Sequence, residues 1–114
     1  GDMMELGKYA TEEHRKIGRE AAASVDKLFT VGPRSKMTAE EALKSGMPAA
    51  SVQTFATAEE AADHLRTIAE AGDIILVKGS QSMRMERVSR GLLAAPERAG
   101  ELLARQEREW LEKA

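Results

Sequence analysis

Two stretches of the chain combine residue types in a way that suits chemistry. The first is Lys78-Gly79-Ser80-Gln81-Ser82, which follows the apolar run Asp73-Ile74-Ile75-Leu76-Val77 and precedes a helical pattern. Glycine lets a backbone turn tightly and approach a ligand, the helix that follows offers unpaired amides, and Lys78 and Ser80 add a cation and a hydroxyl. Together they favour an anion such as a carboxylate or a phosphate. An ordinary strand-to-helix turn with a serine cap and a surface lysine would use the same residues. The second stretch is Gly1-Asp2-Met3-Met4-Glu5-Leu6-Gly7, with His14 further along. If Gly1-Asp2 ends a strand whose body lies upstream, Asp2 and Glu5 can hold a ribose hydroxyl, a metal-bound water or an ammonium. Taken alone, a frayed terminus with solvated acids is the simpler account, and His14 is open to the same two readings.

The elements that must position these residues are read from periodicity. Lys27–Val31 (KLFTV) and Asp73–Val77 (DIILV) are near-continuous in large apolar and β-branched residues, as in strands buried on both faces, and Ser51–Phe55 (SVQTF) reads as a strand nearer an edge. A first helix starts near Thr11-Glu12-Glu13-His14 and carries Ile17, Ala21, Val25 and Leu28 as its apolar stripe. Thr38-Ala39-Glu40-Glu41 and Thr57-Ala58-Glu59-Glu60 both match the capping box, in which a threonine and the glutamate three residues on satisfy each other's free amides. The helix after the second box is expected to run to Gly72, a fourth to start near Ser82, and a last, highly charged one to run from Pro96 to about Lys113. Strands alternating with helices at this pitch predict an α/β fold, a mainly parallel sheet with helices on both faces, and ligands at the carboxyl ends of the strands.

Composition narrows the function. At 114 residues the chain is one domain or slightly less, against roughly 100–200 residues per domain. The net charge is −2, from 17 Lys+Arg and 19 Asp+Glu, which excludes a nucleic-acid binder that relies on a strongly basic surface. Cysteine is absent, so there is no disulfide framework, zinc knuckle or thiol nucleophile. Aromatics make up only 4%, leaving Ala, Leu, Ile, Val and six Met to build the core. No apolar run reaches the ~18 residues of a membrane span. His64 has no second ligand one helical turn away, no Ser-His-Asp arrangement is legible, and neither a G-x-x-x-x-G-K-[ST] phosphate loop nor a G-x-G-x-x-G fingerprint occurs.

The order GDMMELG, His14 with Gly18 four residues later, DKLFTVG, then DIILVKGSQSMRMERV resembles the C-terminal domain of the Mur ligases, in the branch that joins D-alanyl-D-alanine to UDP-N-acetylmuramoyl-tripeptide. The likeness covers residues 1 to about 93. It implies a Rossmann-like three-layer α/β/α domain over residues 1–95, truncated at its N-terminus so that the family's first strand is missing, with 96–114 as a charged helix outside the likeness. In such ligases ATP converts the peptide carboxylate to an acyl phosphate and the incoming amine attacks it. The resemblance places Asp2 on the nucleotide side and turns Lys78, Gly79, Ser80 and His14 toward the incoming dipeptide. It puts ATP and Mg2+ mainly on an absent central domain and leaves no catalytic residue or metal ligand in this stretch, which alone would be inactive. Gln81 departs from the family's usual arginine, so the planar charged fork is lost there. A cytoplasmic location, peptidoglycan synthesis as the process, and self-association through exposed strand edges are further expectations. The competing reading is a stand-alone α/β small-ligand-binding or interaction module.

Overall fold

A computed structural model describes residues 1–94, 96–98, 102–103 and 108–112. After a short 3-10 turn (Gly7–Tyr9) come α1 (Ala10–Ser24), β1 (Leu28–Val31), α2 (Ser35–Lys44), β2 (Val52–Phe55), α3 (Ala58–Ile68), α4 (Glu86–Leu92) and α5 (Arg108–Leu111). The two strands pair in parallel, Leu28 opposite Val52 and Val31 opposite Phe55, with α2 as the crossover helix. The α/β reading and the parallel sheet therefore hold.

Period-two alternation sorts the side chains. Phe29, Val31 and Phe55 join Ala58, Ala61 and Leu65 of α3 and Val88 and Leu92 of α4 in one apolar cluster. Alternate positions of β1 face the other way, toward the side where α2 packs and where Thr30 is buried. Helix α1 lies against α2, closely enough that a Cβ on Gly18 would come within 2.9 Å of Glu41 Cβ. On the opposite face a Cβ on Gly91 would meet Ala62 at 2.9 Å, so small residues set both helix-to-helix distances. His64 lies edge-on to Phe29 and tilted against Phe55, with ring centroids 5.6 and 5.4 Å away, half-buried beside the apolar cluster.

Three expectations are corrected. The third strand, Asp73–Val77, does not form: no described strand pairs with it, and Ile74 and Leu76 are 99% and 85% exposed. An apolar run becomes a strand only where a neighbour takes up its backbone groups. Here Asp73 donates back to Glu70 in a turn, and the backbone next finds partners at Lys78 and Ser80, from Gly1 and Asp2. The capping box at Thr38 is absent because α2 already begins at Ser35; Thr38 lies within the helix and its hydroxyl donates to the carbonyl of His14 at 2.9 Å. Helix α4 starts at Glu86 rather than Ser82, because Arg84 takes a left-handed φ of 49° after a 3-10 turn at Gln81–Met83. The box at Thr57 is present with both reciprocal bonds, though α3 ends at Ile68, short of Gly72. Of the expected last helix, a 3-10 turn at Pro96–Arg98 and α5 are described; the remainder lies outside the described residues.

Candidate functional site

Asp2 is 1% exposed and sits where β1, α2 and the segment after Val77 converge. Its amide donates to the carbonyl of Val31 at 3.1 Å, and its carbonyl accepts from the amide of Ser80 at 2.9 Å. Its carboxylate accepts from the amides of Arg34 (3.2 Å) and Ser35 (2.7 Å). Helix α2 has no side-chain cap of its own at Arg34, so Asp2 supplies one from more than thirty residues away. A carboxylate there also meets the positive end of the helix dipole. Gly32 makes room for it: its φ is 102°, and a Cβ would lie 2.7 Å from the carboxylate atoms of Asp2.

The Lys78–Ser80 turn closes over the same segment. The nitrogen of Gly1 donates to the carbonyl of Lys78 at 2.7 Å, and the amide of Met4 donates to Ser80 Oγ at 2.7 Å. Gly79 is required by proximity, since a Cβ would approach Gly1 Cα at 3.2 Å and Met85 Cγ at 2.7 Å. The two stretches singled out in the sequence thus form one site. His14 joins it from α1, 1% exposed, with Nε2 3.1 Å from the amide nitrogen of Met3 and Nδ1 2.6 Å from the carbonyl of Ala10. Both ring nitrogens are therefore engaged by backbone groups inside the fold.

Beside this junction lies an open surface pocket of about 420 Å³, lined on its polar side by Lys78, Ser80, Gln81, Glu86 and Ser89 and on its apolar side by residues that include Val77, Met85 and Leu103. The Lys78 ammonium has no ion-pair partner among the described residues. Ser80 Oγ takes the Met4 amide on its acceptor side, so its own proton is free to be donated. Cation and hydroxyl together favour a carboxylate or phosphate oxygen. Glu86 is held by Nε of Arg84, a residue 3% exposed whose Nη1 is buried with no partner among the described residues. Neither Arg84, Glu86 nor the capping role of Asp2 was legible in the sequence. The only local signal was the density of charge in Met83-Arg84-Met85-Glu86-Arg87.

Both carboxylate oxygens of Asp2 are taken by backbone amides, and it has almost no free surface. The carboxylate is committed to the start of α2. Among the described residues no group of three His, Asp or Glu side chains is arranged to hold a metal ion.

The profile of the family described as Mur ligase, glutamate ligase domain, matches residues 1–81. The chain is 30% identical over 97 residues to the UDP-N-acetylmuramoyl-tripeptide--D-alanyl-D-alanine ligase of Bacillus subtilis, covering 84% of this chain and 21% of that protein. It is 35% identical over 108 residues to the protein of the same name in Mycobacterium tuberculosis, covering 82% of this chain and 21% of that one. No solved structure matches it. The chain spans about a fifth of the length of these relatives, and the matched region contains both halves of the site, Gly1–Met4 and Lys78–Ser80. On that match the chain belongs to the Mur ligase family, through its glutamate ligase domain.

Proposed function

We propose that the chain is the acceptor-side domain of an ATP-dependent ligase that joins D-alanyl-D-alanine to UDP-N-acetylmuramoyl-tripeptide in peptidoglycan synthesis. Residues 1–95 form that domain and 96–114 a charged appendage. The names of the two relatives support the reaction. The observation that carries the site is that Lys78 and Ser80 line one open pocket, with Ser80 Oγ accepting from the Met4 amide. This corner receives the dipeptide's carboxylate, leaving its amine to face an acyl phosphate formed elsewhere in the enzyme. The domain's contribution is placement of the nucleophile: an amine held at the right distance gains the advantage of an intramolecular reaction. ATP and Mg2+ are held mainly by a central domain outside this chain, with this domain closing over ATP and Asp2 on its nucleotide side; the reaction is cytoplasmic, and no helix among the described residues is long and apolar enough to cross a membrane.

The test is calorimetric titration of D-alanyl-D-alanine into a full-length ligase carrying this domain. Lys78→Ala should weaken binding by about tenfold or more, the worth of one charge-assisted contact. Unchanged affinity in a folded, active variant would place the dipeptide elsewhere. A full-length protein that binds the dipeptide but never ligates it would favour the stand-alone binding module.

A further inference from the structure

The Asp2–Met3 peptide unit is gripped at both ends. Its carbonyl accepts from the amide of Ser80 at 2.9 Å, and its N–H points to Nε2 of His14 at 3.1 Å. A trans peptide is planar with its C=O and N–H directed oppositely, so Ser80 and His14 stand on either side of one rigid group. The next amide, Met4, donates to Ser80 Oγ at 2.7 Å. Ser80 is therefore held at its backbone and at its hydroxyl by the residues flanking the unit that His14 pins.

The partners of His14 also fix its proton. A backbone carbonyl can only accept, so Nδ1, 2.6 Å from the Ala10 oxygen, carries the hydrogen. An amide N–H can only donate, so Nε2 is the bare lone pair that receives Met3. The hydroxyl of Thr38, donating to the carbonyl of His14 at 2.9 Å, ties the same residue to α2.

The geometry points to His14 as a positioning residue for Ser80. Fixed in the Nδ1–H tautomer, it holds the Asp2–Met3 peptide in the one orientation that presents an acceptor to the Ser80 amide and the Met4 amide to the Ser80 hydroxyl. What this does for dipeptide binding rests on the ligase reading above; the linkage itself does not. With His14 in place one acceptor position of the Ser80 hydroxyl is taken by the Met4 amide, which leaves its proton to donate elsewhere. Without the Nε2 acceptor the peptide unit is free to turn, and Ser80 loses both anchors together.

Two side-chain amides separate the two ends of the ring. His14→Gln places a carbonyl near the Nε2 position, whereas His14→Asn reaches only the Nδ1 position. Imidazole nitrogen chemical shifts of the unmodified 114-residue chain should report the Nδ1–H tautomer, a measurement that needs neither a variant nor a ligase assay. Amide exchange at Met3, Met4 and Ser80 should then accelerate about tenfold in His14→Asn and stay near the original rate in His14→Gln, as expected for one buried hydrogen bond lost or kept. In the full-length ligase the Asn variant should raise KM for the dipeptide with kcat retained. An Nε2–H tautomer, or equal exchange in the two variants, overturns the inference. Tautomer and exchange as expected with no change in KM would instead count against Ser80 as the dipeptide contact, leaving the positioning role intact.

Discussion

At the scale of single residues, the strongest structural commitment is the burial of a carboxylate. Asp2 loses nearly all contact with water and is compensated by two amide donors at the start of α2. That arrangement tolerates no partial substitute. Asp2→Asn has nearly the same shape, yet it offers one acceptor where two amides converge and turns an NH2 group toward the second. The charge that met the helix dipole is lost as well. We expect Asp2→Asn to destabilise the chain by about 2 kcal/mol, read as a lower urea midpoint at unchanged slope. A midpoint within error of the original would mean that α2 is capped in some other way. The chemistry of Asp2 was visible in the sequence but its use was not, because a carboxylate before a helix looks the same whether it binds a ligand or caps another helix more than thirty residues away. Lys78 and Ser80 were easier, since a glycine turn after an apolar run restricts where their groups can be.

Between elements, the α1–α2 contact shows how local and distant signals divide. Thr57 caps α3 through a glutamate three residues on, a bond the sequence contains in full, and it forms as read. Thr38 presents the same pattern and caps nothing, because α2 is started by a residue outside the local window. The two helices are drawn together by the missing side chain of Gly18, with Arg15 and Arg19 on either side of it reaching Glu41 at 3.3 Å each. Burial pushes the Glu41 carboxyl up, but hydrogen bonds from Arg19 and Arg15 outweigh it and hold the group below its ordinary value of 4.5. A carboxyl that is more acidic folded than unfolded stabilises the fold above the unfolded value, and that contribution disappears as pH falls through the folded one. Wild-type stability should therefore decline on acidification below about 4.5, and Glu41→Gln should flatten that part of the curve while lowering stability at neutral pH. Parallel acid limbs in the two proteins would show that the pair, being partly exposed, contributes little.

For the whole molecule, the question is why an apolar run as strong as Ile74-Ile75-Leu76-Val77 lies open. The Gly1 nitrogen donates to Lys78 on one side and the Asp2 amide to Val31 on the other. That alternation belongs to a strand with a parallel neighbour on each side. A strand continuing the line of Gly1-Asp2 would lie between β1 and residues 74–77, which pair with no described strand. The run has the composition of a strand buried on both faces, but no described strand pairs with it and Ile74 and Leu76 stand exposed. Extending the chain ahead of Gly1 by about five residues rich in valine and isoleucine should place a strand in that space. Amide exchange at Ile74–Val77 should slow markedly, and the concentration-dependent light scattering expected of an open apolar edge should fall. An extension with proline at alternate positions, which cannot donate to the neighbouring backbone, should do neither. If both extensions leave the 74–77 amides equally exposed, the space beside β1 is not a strand site, and the apolar edge would have to be covered by another surface.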